Sequence, residues 1–182
     1  MKKRDWEKGS ANPIPDSKYE RYKEKLVELS IEYPERNLML FLLARATGYR
    51  MQDIIELTVG EIKDALDKGY FEIQEQKQYK QWQSEVAKNP NRKKPKKRVA
   101  KIGPTLEKHL KQYLKGKKRS EFAFPSKKGN GNEALTQKSY SDKLKEVGIA
   151  IGLEHITGHS PRKTYATKIY NETKGNLEAV RI

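Results

Sequence analysis

Cysteine is absent from the 182 residues, which excludes disulfides and thiolate metal sites. Long apolar runs are also missing, so no segment is suited to span a bilayer. The first residues carry charge but no apolar core of a leader peptide, and no signal sequence is expected. These absences fit a cytoplasmic protein without a membrane partner. Acids are scarce too: 24 Asp and Glu stand against 39 Lys and Arg, a formal net charge of +15. Hydrophobic residues make up only 35% of the chain, but they cluster, which is enough for one core with appendages.

A charge this positive calls for a polyanionic partner, and nucleic acid comes first. An anionic membrane surface fits less well, because no basic amphipathic helix with a broad apolar face stands out.

Residues 1–17 are polar, with Gly9 and the run Asn12-Pro13-Ile14-Pro15, and read as a tail or linker. Residues 18–182 read as one domain. Helical spacing is expected from a Ser17 cap through Tyr19, Tyr22, Leu26 and Leu29. A second helix follows Pro34, with Leu38, Leu42, Leu43 and Ala46 facing inward, and Gly48 stops it. A third carries Ile54, Ile55 and Leu57. Tyr70 to Ile73 alternates as a strand does and can pair with Arg98 to Ile102. Between them lies a polar insertion with Tyr79 and Trp82, then eight Lys or Arg and no acid from Lys88 to Lys101. Pro90 and Pro95 break any regular helix there. Further helices are expected from Thr105 to Leu114, from a Thr136 cap to Ile149 and from Pro161 to Thr173. Asn176 caps a last one. Phe122 to Pro125 reads as a short buried stretch, and Gly129 to Asn132 as a loop. The expected class is mainly α with a small antiparallel β-sheet (α+β).

Two segments carry chemistry. In Gly158-His159-Ser160-Pro161-Arg162, a His and an Arg stand three apart at a helix start. Ser160 suits the cap and Pro161 the first helical position. Arg162 then falls where the helix dipole and free N–H groups favour an anion. In Thr47-Gly48-Tyr49-Arg50-Met51-Gln52-Asp53, Arg50 lies between a helix stop and a helix start, with Asp53 close enough to orient it. A guanidinium beside an imidazole suits an oxyanion such as phosphate.

Together these segments resemble the tyrosine recombinase, or phage integrase, family. The family has a Gly-x-Arg-x-x-Glu-like box and, much later, a His-x-x-Arg box. Here Asp53 replaces the usual Glu, Pro161 a more usual Leu, and Lys163 a frequent His. Phe124-Pro125-Ser126 also resembles a stretch between the boxes. The likeness covers residues 20–182, a catalytic domain without most of its last portion. It implies that a Tyr attacks a DNA phosphodiester, leaving a phosphotyrosyl link that needs no cofactor to rejoin. Arg50 and Arg162 would clamp the non-bridging oxygens, and His159 would assist proton transfer. A hairpin lysine, best matched by Lys77 with Lys80 and Lys97 as alternatives, would protonate the leaving 5′-hydroxyl. The partner implied is double-stranded DNA, bound by a homo-oligomer. The nucleophilic Tyr is expected beyond residue 182, so the chain as given should bind and polarise a phosphate without cleaving. Arg50, the hairpin and the His159–Arg162 turn are expected to form one basic cleft.

Other readings stay open. Arg50 can simply pair with Asp53, and Lys77 can be a solvated strand-end lysine. His109 and His155 have no motif context. Tyr165, Ile169, Leu38 and Leu42 read as core. The basic run, with Arg92, Lys93, Lys94, Lys96, Lys97 and Arg98, is either a solvated loop or a tract along the DNA backbone. Tyr79 and Trp82 beneath it pack under the loop or stack. The alternatives for the whole are a non-catalytic DNA-binding domain of the same shape and a type IB topoisomerase relative.

Overall fold

A computed structural model describes residues 10–128 and 133–180; the expected loop over 129–132 lies outside the described residues. The elements in chain order are α1 (Asp16–Leu29), α2 (Pro34–Thr47), α3 (Met51–Ile55), α4 (Val59–Lys68) and β1 (Tyr70–Ile73). Then come α5 (Gln76–Val86), β2 (Arg98–Lys101) and α6 (Pro104–Tyr113). The chain continues with α7 (Gln137–Ala150), α8 (Ser160–Glu172) and α9 (Leu177–Val180). The class is therefore mainly α with a two-stranded antiparallel sheet, as the sequence led us to expect. The chain divides into two units, one from residues 1–48 and 136–182, the other from 49–135.

In the first unit α1 and α2 pack together, α7 lies on α1, and α8 lies on α2. Tyr22, Leu26, Leu40, Phe41, Tyr140 and Leu144 are fully buried; each such side chain contributes about 1.5–3 kcal/mol. The rings of Tyr22 and Phe41 stack 5.2 Å apart. Two phenols reach across the core, Tyr22 donating to the Leu144 carbonyl at 2.7 Å and Tyr140 to that of Asn37 at 2.8 Å. Helix α2 turns inward a face that only partly matches the expected one. Leu43 is buried as expected, but so are Asn37, Met39, Leu40, Phe41, Ala44 and Thr47, while Leu38 and Leu42 are half-buried and Ala46 is exposed. The helix is apolar on nearly every side and covered by two neighbours, so its periodicity alone does not choose a face. Tyr165 and Ile169 are half-buried.

The segment read as tail is docked over part of its length. Ala11 and Ile14 are buried, Asn12 N–H donates to the His155 carbonyl at 2.9 Å, and Ile14 N–H to Thr164 Oγ1 at 2.9 Å. Helix α1 begins at Asp16 behind Pro15, without a side-chain cap, rather than behind Ser17. Proline fixes φ near the value the entry needs.

In the second unit the strands pair as predicted, from Tyr70 opposite Lys101 to Ile73 opposite Arg98. The expected third helix is two. Thr58 accepts from the Glu61 N–H at 3.2 Å, and Glu61 accepts from the Thr58 N–H at 2.8 Å. This reciprocal box starts α4 afresh and splits it from α3. The stretch 122–125 is buried as expected: Ala123 N–H donates to the Leu57 carbonyl at 2.8 Å, and the Phe124 ring stacks on Tyr113 at 6.0 Å. The polar insertion contains a regular helix, α5, before the extended basic run.

Candidate functional site

The His159–Arg162 box belongs to the first unit; of the other box Gly48 belongs to the first unit, and Arg50 and Asp53 to the second. The His159–Arg162 box starts α8. The chain reverses at Thr157, whose N–H donates to Ser160 Oγ at 3.0 Å and whose Oγ1 accepts from the His159 N–H at 3.1 Å. Ser160, the expected cap, lies one residue inside the helix and ties this turn together, while His159 occupies the cap position. Ends of helices shift by a residue in this way when a turn hydroxyl finds a nearer donor. Ser160 is buried and His159 exposed, so the imidazole is open to an incoming group. Pro161 sits in the first turn as expected.

Arg162 is half-buried, and its Nη1 donates to the Gly48 carbonyl at 2.9 Å. Gly48 ends α2 at φ +62°, a backbone state that costs any residue with a Cβ. A Cβ there would also meet Tyr165 Cδ1 at 2.3 Å. The glycine thus serves twice: it lets the Tyr165 ring lie against the chain, and it offers its carbonyl to the arginine.

Arg50 lies in the second unit, in extended conformation at the start of α3. Its carboxylate is not the one expected. Glu75 Oε2 lies 2.7 Å from Arg50 Nη1, and Glu75 is only 3% exposed. Asp53 instead accepts from the Gln76 N–H at 2.9 Å, serving the start of α5. Sequence reading missed Glu75, since nothing local marks an acid 25 positions after the arginine.

Arg98, counted with the basic run as a DNA contact, belongs to this cluster. Its side chain is 16% exposed and its Nη1 lies 3.7 Å from Glu75 Oε1. Its guanidinium covers the Tyr49 ring at 4.9 Å, and the Tyr49 hydroxyl donates to its carbonyl at 2.6 Å. The cause is strand alternation, which turns Arg98 and Ala100 inward while Val99 and Lys101 are exposed.

Lys77 does not stand at the end of a strand. It lies in the first turn of α5 and is exposed, because Gln74 and Glu75 already turn the chain into a helix. Lys97, just before β2, lines a cleft of about 480 Å³ with Asp53, Phe71 and Gln76.

The basic run is held at its root. Trp82 Nε1 donates to the Arg92 carbonyl at 2.9 Å, the Tyr79 and Trp82 rings lie 5.5 Å apart, and Lys94 covers Tyr79 at 5.2 Å. Arg92 pairs with Glu85. The two aromatics therefore pack under the loop. Lys93, Lys94, Lys96 and Lys97 are exposed. Among the described residues no helix is long and apolar enough to cross a membrane.

Comparison with known proteins points to the same family as the two boxes. The chain is 28% identical to the "Probable integrase/recombinase YoeC" of Bacillus subtilis (strain 168) over 148 residues, covering 81% of this chain and 70% of that protein. Among solved structures it resembles the XerH site-specific recombinase bound to its difH substrate, with a TM-score of 0.63 at 20% identity. That match covers 92% of this chain but 45% of the XerH chain. It also resembles the Tn1549 transposon integrase in complex with a circular intermediate DNA, with a TM-score of 0.65 at 13% identity over 94% of this chain and 57% of that one. The chain thus spans about half the length of these solved recombinases. Residues 20–180 match the shared pattern of a single family. The chain belongs to the phage integrase family.

Proposed function

We propose that this chain is the phosphate-binding part of a site-specific DNA recombinase that breaks and rejoins DNA through a phosphotyrosyl intermediate. One observation carries the reading. Arg162 donates to the carbonyl of Gly48, which stands two residues before Arg50 in the chain. Arg162 is thus held by the glycine of the first box, which links the two motifs, and we read both arginines as ligands of one phosphate.

In this reading Arg50 and Arg162 each take a non-bridging oxygen. They stabilise the charge that builds up as a tyrosine oxygen attacks phosphorus. The bond from phosphorus to the 5′-oxygen breaks, and that oxygen gains a proton. His159, exposed at the helix start, handles the proton of the attacking tyrosine. The nucleophile is proposed to lie beyond residue 182. Lys77 is our first choice for the acid that protonates the 5′-oxygen, with Lys97 the alternative because it lines a cleft with Asp53 and Gln76. Lys93, Lys94, Lys96 and Lys97, with Arg92, track the DNA backbone, and the active form is a homo-oligomer on duplex DNA in the cytoplasm.

The test is covalent trapping on nicked duplex DNA in a chain that carries the tyrosine. Arg50→Ala and Arg162→Ala should each lower the single-turnover rate by about 10²–10³-fold while leaving DNA affinity within a few-fold. Near wild-type rates in either variant overturn the assignment. DNA binding with a steep salt slope and no covalent product would favour a binding domain that keeps only the recombinase shape. The acid is identified with a substrate whose leaving 5′-oxygen is replaced by sulfur, which departs without a proton. It should restore the rate of Lys77→Ala; restoration of Lys97→Ala instead moves the role to Lys97.

A further inference from the structure

Glu75 is almost completely buried at 3% exposure, in a strand-to-helix junction where a carboxylate has no reason of packing to be. A carboxylate taken out of water is tolerated only where cations meet it. Two do, one per oxygen: Arg50 on Oε2 at 2.7 Å and Arg98 on Oε1 at 3.7 Å. Each of the three groups is fixed by a different rigid element. Arg50 stands at the start of α3, Arg98 is the first residue of β2, and Glu75 is the residue that enters α5. Glu75 is held there by its own carbonyl, which accepts from the Tyr79 N–H at 3.0 Å. Arg98 is held in turn by Tyr49, through the ring contact and the hydroxyl.

The arrangement gives the Arg50 guanidinium two sides. Nη1 is buried, and its approach to Glu75 runs off the N–H direction, so charge rather than a linear hydrogen bond holds it. The side chain is nevertheless 25% exposed. That exposed part belongs to its other atoms and is what an anion can reach. A carboxylate on the inner side and an open outer side is how a cation is aimed before its ligand arrives, which removes ordering cost from the binding step.

We propose that Glu75 is a positioning residue that holds Arg50 ready for the DNA phosphate, with Arg98 as the second cation that makes the buried charge tolerable. The proposal rests on the reading of Arg50 as a phosphate ligand. It gives the insertion between β1 and β2 a role in the reaction centre, because the acid enters with α5.

The test begins on the chain without DNA. In the wild type the Arg50 guanidinium should give a sharp Nε–H resonance in NMR, and Glu75→Gln, which keeps the shape and removes the charge, should broaden or lose it. With the full natural chain on nicked DNA, Glu75→Gln should slow covalent trapping at least tenfold while DNA affinity stays within threefold. Glu75→Asp should recover part of the rate. A structural role alone would not separate rate from affinity in this way. If Glu75→Gln fails to fold, Glu75→Gln with Arg98→Gln removes the stranded cation and is measured instead. An unchanged Arg50 resonance and a near wild-type rate in either variant, while Arg50→Ala is slow, overturn the proposal. A fast Arg50→Ala overturns the phosphate-clamp reading itself.

Discussion

At the scale of single residues, Gly48 is where backbone and chemistry meet most closely. Its φ of +62° and the Tyr165 ring 2.3 Å from a hypothetical Cβ leave no room for a side chain, and its carbonyl holds Arg162. Gly48→Ala is expected to lose more than the roughly 1 kcal/mol of left-handed strain alone, because Tyr165 must also move. Urea unfolding measures the loss, and Tyr165→Leu in the same chain should restore part of it. The buried phenols lead to a second expectation. Burial raises the pKa of Tyr22 and of Tyr140, so the folded state holds their protons more tightly than the unfolded chain does. Their contribution to stability is complete below the ordinary phenol pKa of about 10 and declines as pH rises above it. Absorbance at 295 nm should show these two of the ten tyrosines ionising only as the protein unfolds in alkali. Titration of all ten in the folded state would contradict this.

Which residues were legible follows from what marks them. Arg50, His159 and Arg162 sit in short motifs next to helix ends, and local chemistry points to them. Glu75 has meaning only through a contact across the fold. Arg98 was hidden among lysines, although the period-2 pattern of its strand already turned it inward.

At the scale of elements, the pairing of the two strands and the Thr136 cap on α7 were readable from alternation and cap chemistry. The split between α3 and α4 was missed, although Thr58 and Glu61 stand in the spacing of a capping box, a signal that outweighs the apolar continuity around it. Thr58→Ala should cost about 1 kcal/mol, measured by thermal unfolding. The inward face of α2 was not readable, because a helix covered by two neighbours has no polar side to betray its orientation. Within the insertion, the Trp82–Arg92 hydrogen bond and the Tyr79–Lys94 contact tie the basic run to α5. Trp82→Ala should speed trypsin cleavage between residues 88 and 97 without unfolding the protein. Equal cleavage rates would mean that the aromatic root does not restrain the loop.

At the scale of the whole molecule, the +15 charge sets how binding responds to salt, because each neutralised phosphate releases counterions. Replacing Lys93, Lys96 and Lys97 by Ala together should weaken DNA binding equally on unrelated sequences. It should also reduce the slope of log K against log salt by about one unit per lost phosphate contact. A loss confined to one sequence would assign these lysines to base recognition instead. The fold class and the family were legible in the chain because two boxes, a hairpin between them and a basic surplus agree with one another. The division into two units was not, since both boxes read as parts of one continuous pattern.

The central claim is that Arg50 and Arg162 act on the same phosphate, and a double-mutant cycle tests it most directly. The measurement is the single-turnover rate of covalent trapping for the wild type, Arg50→Ala, Arg162→Ala and the pair. Groups that work as one clamp are strongly non-additive. The account predicts that the double variant is no more than a few-fold slower than the slower single one. Losses that multiply in full, or a single variant that keeps the wild-type rate, would contradict it.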